Sequence, residues 1–329
     1  MPSQREIRRR IGSVRNIKQI TRAMQFVAAS KLKRAQDATL ASRPYADKLD
    51  EVLADVASVL TAEDHPLLAE REGGKRAIVL VTTDRGLAGS LNTNTIRFAS
   101  REIADNPGDL AVVTVGRKGL GSMRRARVPV AASFEGFGDR PTFAGVTAIA
   151  RLLTNDYLDG TYSRIDIIYP RFVSTLVQRP VLDRVLPIVP SEDTAGIPGH
   201  QFIFEPNAAE VLRQLLPRYV ATQLYQSILE VTASFHSAQM VAMKNATENA
   251  QELIDDLTLT YNKVRQANIT REMIEIATGA NATQPRPQPT TPKPAATSAA
   301  GAEPSQEDQH PWPSPARIAP APRRAPSAR

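Results

Sequence analysis

Residues able to act on a substrate are few in this chain and poorly spaced for it. His65, His200, His236 and His310 are scattered over 329 residues, and none falls in a metal-binding spacing such as His-Glu-x-x-His. With no cysteine present, thiol catalysis, disulfides and Cys-ligated zinc are excluded. The stretch TTDRGLAGSLN (82–92) follows an apolar run and precedes a helical pattern, which is where a turn can cradle phosphate on backbone N–H groups. It lacks the Gly-Lys-Ser/Thr of a P-loop and the third glycine of a dinucleotide fingerprint, and GRKGLGS (116–122) fails the same tests. No Gly-x-Ser-x-Gly elbow occurs. Nothing assembles a nucleophile, a base and an oxyanion hole. The expectation is a chain with no catalytic residue, no cofactor and no metal, in which 82–92 is a tight strand-to-helix turn.

The elements around these stretches fall into three parts. In the first, Ile7, Ile11, Val14, Ile17, Ile20, Met24 and Val27 recur at steps of three and four, which predicts a helix with these residues as its apolar seam. Ser3 followed by Glu6 reads as a capping box at its start. Pro44 is expected to kink or interrupt the helix, which resumes over 47–60 to complete a segment spanning 1–60.

After Gly73–Gly74 the texture changes, and a block spanning 75–204 follows. AIVLVTT (77–83), LAVVTVG (110–116), VPVAASF (128–134), RIDIIYP (164–170) and STLVQRPVLDRVLPIV (174–189) read as strands. Helical patterns run through Ile96 and Ile103 and over 143–153. Strands alternating with helices predict an α/β layer fold of Rossmann-like type, with a mostly parallel sheet and an antiparallel edge.

The third part runs over 207–278, 72 residues that hold no glycine and one proline, Pro217. Met240, Met243, Thr247, Ala250, Ile254, Leu257, Tyr261 and Val264 step strictly three and four, a heptad seam that predicts a coiled coil. A helix of that length, on the order of 100 Å at 1.5 Å per residue, needs a partner of similar length, and only the N-terminal segment offers one. The economical fold is an α/β domain inserted between two long terminal helices that pair as an antiparallel coiled coil. The remainder, 283–329, is a Pro- and Ala-rich tail, with 12 of the 25 prolines lying beyond 283, and is expected to be disordered.

Charge narrows the choice of partners. Residues 1–36 hold ten basic side chains against Glu6 alone, or +9, and the tail adds +3, which leaves about −5 for the middle of a chain of net +7. A basic arm expects an acidic surface or nucleic acid. It has no aromatic residue before Phe26 and no groove-reading motif, so a basic coiled-coil protein that binds nucleic acid or acts as a scaffold is the second choice. No apolar run reaches 18 residues, so nothing here reads as a membrane-spanning helix.

The stretches REIRRRIGSVRNIKQITRAMQFVAASKLKRAQ (5–36), TTDRGLAGSLN (82–92), FIFEP (202–206) and LIDDLTLTYNKVRQANITREMIEIATGANA (253–282) closely resemble the gamma subunit of bacterial F-type ATP synthases. The resemblance runs from 5 to 282 in the same order, and its most specific part is I-T-x-E-x-x-E-x-x-x-G-A-x-A at 269–282. It implies a non-catalytic rotor, one copy per complex, turning inside a ring of alpha and beta subunits. Further partners would be the epsilon subunit and the membrane ring of proton-carrying subunits, with the chain peripheral on the cytoplasmic face of the cell membrane. It also implies site residues. Arg85 would face an acidic lever loop of beta, and Met24 would lie at a similar contact. Arg265, Gln266, Thr270 and Glu272 would hydrogen-bond to loops of alpha and beta around the shaft. Glu205 would lie near the junction with epsilon and the membrane ring. Ala88 stands where relatives often have cysteine, Phe235 and Gln239 where they more often have an acid and an arginine, and the chain runs on for 47 residues, 283–329, where relatives stop.

Overall fold

The computed structural model describes residues 3–57, 65–71, 73–106, 108–189 and 208–283. Five helices and five strands follow one another as α1 (Gln4–Ala57), β1 (Lys75–Val81), α2 (Leu91–Asp105), β2 (Leu110–Val115), α3 (Arg117–Arg125), β3 (Val130–Phe134), α4 (Phe143–Leu158), β4 (Tyr162–Phe172), β5 (Gln178–Leu186) and α5 (Ala208–Thr283). The chain divides into two units, Met1–Glu272 and Met273–Arg329. In the second unit, the described residues are the last turns of α5, whose side chains from Met273 to Ala280 are exposed.

The sheet has the order β3-β2-β1-β4-β5. β1 pairs in parallel with β2 and β4, β2 pairs in parallel with β3, and β5 closes the edge antiparallel to β4. The central parallel strands are buried on both faces, which is why their sequences are continuous apolar runs rather than alternating ones. Alternate residues of β1 serve opposite layers. Ala77, Val79 and Val81 pack with α4 and with Leu212, Leu216, Val220, Leu224, Ile228 and Val231 of α5. Ile78 and Leu80 pack with Ala99 of α2 and Met123 of α3. The first half of α5 is therefore a layer of the α/β sandwich.

In α1, the Ser3 hydroxyl accepts from the Glu6 backbone N–H at 3.2 Å, so the helix starts at the expected cap. The expected interruption at Pro44 does not occur, because α1 is a single helix with Pro44 inside it. Proline forfeits one backbone hydrogen bond. Around it, Ala46, Leu49 and Leu53 are buried, and Leu53 belongs to the main core with Leu212 and Leu216. That tertiary anchorage holds the helix across the gap.

α1 and α5 pair antiparallel, since contacts that ascend one helix descend the other. Gln4 and Arg8 donate to the Tyr261 hydroxyl. Lys18 donates to Gln251, Thr21 shares a hydrogen bond with Thr247, and Leu32 and Ala35 pack on Ala233. Along α5 the expected heptad is the covered stripe, with Met243, Ala250 and Ile254 buried. Along α1 the expected seam is corrected. The covered positions are 7, 11, 14, 18, 21, 25, 28, 32 and 35, alternating steps of four and three as a heptad requires. Ile17, Ile20 and Val27 lie off that stripe, 52–59% exposed. Their places on the seam are taken by Lys18, Thr21 and Gln25, and two of these are satisfied by polar side chains of α5.

Candidate interaction surface

The loop 82–90 is built as the tight turn expected at the end of β1. The Thr83 backbone N–H donates to Asn92 Oδ1, while its hydroxyl accepts from Asn92 Nδ2 and donates to the Arg85 carbonyl at 2.6 Å. The first turn of α3 is fixed to the same loop, as the Gly119 N–H donates to Thr82 Oγ1 at 2.8 Å. Gly116 is required there, because its φ is +96° and a Cβ would lie 2.3 Å from the Thr82 carbonyl oxygen.

One carboxylate determines what this crevice can bind. Asp84 accepts from the Arg117 N–H, the first of α3, at 3.0 Å through one oxygen and from the Gly136 N–H at 3.1 Å through the other. Backbone N–H groups at a helix start, at the C-terminal ends of parallel strands, are where α/β folds seat phosphate. Here the chain's own Asp84 fills that seat. The neighbouring cleft of about 340 Å³ is lined by Thr82, Asp84, Arg85, Arg117, Phe137 and Asp139 among others.

The side chains picked out from sequence do not converge on that cleft. Only Arg85 borders it, 66% exposed, with a guanidinium nitrogen 3.6 Å from Asp139. Met24 is half-buried on α1 beside the exposed Ile20 and Val27. Arg265, Gln266, Thr270 and Glu272 are exposed on α5. Gln4 opens α1 and contacts Tyr261, so these four residues lie past the start of α1 and have no α1 seam to join. Glu205 and the whole FIFEP stretch lie outside the described residues, as do His200, His310 and residues 284–329. Arg85, Met24 and the 265–272 cluster are thus separate points on one surface.

Sequence reasoning missed two features of that surface. One is the exposed apolar face of α1, made by Ile17, Ile20 and Val27, which periodicity had assigned to the seam. The other is α3, a nine-residue helix carrying Arg117, Lys118, Arg124 and Arg125. Its two internal glycines hid the helical pattern.

A five-stranded α/β sheet layered against α5, with α1 and α5 paired antiparallel as two long helices, defines the class of fold. A family model described as ATP synthase matches residues 3–283. The ATP synthase gamma chain of Roseiflexus castenholzii is 49% identical over 287 residues, covering 86% of this chain and 99% of that one. That of Pelotomaculum thermopropionicum is 43% identical over 284 residues, covering 86% and 100%. Two solved structures share the fold. A chain of the OSCP/F1/c-ring structure of the Euglena gracilis mitochondrial ATP synthase in rotational state 3 matches with a TM-score of 0.60 at 18% identity, over 88% of this chain and 98% of that one. The central stalk of the Tetrahymena thermophila mitochondrial enzyme gives 0.54 at 24%, over 69% and 99%. The chain belongs to the ATP synthase gamma chain family.

Proposed function

We propose that this protein is the central rotor shaft of a bacterial F-type ATP synthase, carrying torque between a proton-driven membrane ring and the catalytic alpha and beta subunits. The observation that carries this reading is the outward apolar face of α1. Ile17, Ile20 and Val27 stand exposed along a helix whose other side is already closed by α5. Contiguous exposed apolar side chains on a long helix call for a cover, and a sleeve of surrounding subunits is a cover inside which the shaft can turn. The basic side chains Arg5, Arg9, Arg10, Arg15 and Arg22 lie exposed on the same helix and suit acidic loops on that sleeve.

In this reading Met24 and Arg85 meet the beta subunit, and Arg265, Gln266, Thr270 and Glu272 hold the shaft by polar contacts that break and re-form as it turns. Glu205 faces epsilon and the membrane ring. The chain contributes no group to ATP chemistry, and it reaches the cytoplasmic face of the membrane through the complex. Among the described residues no helix is long and apolar enough to cross a bilayer.

The test is affinity capture of the tagged chain from native membranes, followed by reconstitution with purified alpha and beta subunits. Recovery of alpha, beta and epsilon, with ATP-driven rotation of a bead fixed to this chain, is the expected result. Capture of nucleic acid in their place at physiological salt would favour the basic coiled-coil alternative.

A further inference from the structure

Asp139, in the loop between β3 and α4, sits where four segments of the chain meet. Its Oδ2 accepts from Lys31 Nζ of α1 at 2.6 Å and lies 3.6 Å from Nη1 of Arg85 in the β1–α2 loop. Its Oδ1 is 3.5 Å from Nε2 of His236 on α5. His236 is 1% exposed, and neither ring nitrogen has a hydrogen-bond partner among the described residues. A neutral imidazole carries one donor and one acceptor, and buried polar groups are almost always paired. The nearest polar groups to this ring are the Asp139 carboxylate and the Gln239 side chain.

The charged groups that face it come from three elements: Lys31 from α1, Arg85 from the β1–α2 loop and Asp139 from the β3–α4 loop. Its own helix supplies the uncharged Gln239 and the Phe235 ring, 5.1 Å away between centroids. Burial pushes the imidazole below its ordinary value. Asp139 and the Gln239 side chain oppose that fall, while Lys31 and Arg85 reinforce it. At neutral pH the ring is uncharged, and Asp139 serves Lys31 and Arg85.

We propose that His236 makes the junction of the two long helices with the α/β layer acid-sensitive: proton uptake at Nε2 turns Oδ1 of Asp139 to the imidazolium and expels Arg85 from the cluster. One carboxylate cannot neutralise three cations. Lys31 is bonded at 2.6 Å and its side chain is largely covered, whereas Arg85 is distant and open to water. Arg85 is therefore the cation that leaves at least cost, and the loop it belongs to loosens with it. Acid then uncovers the arginine proposed above to meet the beta subunit. The release itself is a property of the isolated chain and stands apart from the rotor reading.

The chain has no cysteine, so a single Leu87→Cys carrying a spin label reports the loop two residues from Arg85. Histidine ring NMR on the full chain supplies the titration, with the His236 signal assigned by its loss in His236→Gln. The expected midpoint lies below the ordinary histidine value, is lowered further by Asp139→Asn and is raised by Lys31→Gln. The label is expected to become more mobile as pH falls below the ordinary histidine value with His236 present, and to stay unchanged with His236→Gln. A midpoint at or above the ordinary histidine value, insensitive to Asp139→Asn, would overturn the proposal. So would a loop response that survives His236→Gln.

Discussion

Thr21 of α1 and Thr247 of α5 share a hydrogen bond of 2.8 Å inside the seam between the two long helices. Thr247 donates its one hydroxyl proton to the Met243 carbonyl, which makes Thr21 the donor between the two. Lys18 meets Gln251 one turn away. This polar layer fixes which turn of α1 lies against which turn of α5, the role a lone polar pair has in coiled coils generally. Thr21→Val and Thr247→Val are each expected to cost roughly 0.5–1.5 kcal/mol. The double variant should cost less than the two added together, because both partners are then apolar and of similar shape. A double-mutant cycle from urea unfolding checks this, and an additive result would mean that the hydroxyls do not communicate.

The same layer explains how far the sequence could be read. On α5 the seam is apolar at most positions, so periodicity alone identified Met240 to Val264. On α1 the heptad passes through Lys18, Thr21 and Gln25, while Ile17, Ile20 and Val27 offer a rival apolar stripe with nearly the same period. Apolar spacing cannot rank the two, because the choice depends on the polar partners Thr247 and Gln251 across the interface. The strands β1, β2 and β4 were plain because burial on both faces leaves unbroken apolar runs. The turn at 82–90 was legible as a turn, but the use of Asp84 as its anion was not. That depends on Arg117 and Gly136, which are 33 and 52 residues away.

Replacing Ile20 and Val27 together by Ser separates fold from assembly. Both are more than half exposed and off the seam, so the isolated chain should change in stability by no more than about 0.5 kcal/mol per site. Reconstitution with alpha and beta subunits should suffer, as a lower yield of complex or a weaker coupling of ATPase to rotation. Ala28→Ser at the fully buried seam position is expected to do the reverse, lowering the melting temperature of the chain alone.

Asp166 is wholly buried on β4 and binds two arginines, Arg76 Nε at 2.7 Å and Arg164 Nε at 2.9 Å. Removing the charge leaves two guanidinium groups beside each other at the sheet. Because both arginines keep some contact with water, Asp166→Asn is expected to cost about 2 kcal/mol, below the range for a fully desolvated pair. Equilibrium urea unfolding gives the number, and a neutral outcome would show that solvent alone satisfies the arginines.

Gly116→Ala tests the tie between the 82–90 loop and α3. The added methyl would lie 2.3 Å from the Thr82 carbonyl oxygen on a backbone with φ of +96°. A cost of roughly 2–4 kcal/mol is expected from strain and displaced backbone together. Amide hydrogen exchange should quicken at Gly119, whose N–H depends on Thr82. Protection unchanged at Gly119 would separate the two elements.

Asp139 gives a stability term with a defined sign in pH. Burial pushes its carboxyl upward, but the hydrogen bond and charge of Lys31, with His236 and Arg85 behind, outweigh that and hold it below the ordinary value of 3.8. A carboxylate lowered in the folded state binds its proton first in the unfolded chain. Its contribution is therefore complete above the ordinary value and is lost as pH falls through the lower, folded one. Down to about pH 5, a little above the ordinary value, Asp139→Asn should be less stable than the parent by a margin that holds or grows where His236 takes up its proton. Below that the margin should shrink, because the parent alone loses this term. Thermal unfolding of both chains at matched ionic strength reads the difference directly. A margin that widened below about pH 5 would mean that Asp139 is better bound protonated, against the geometry of a lysine 2.6 Å from its oxygen.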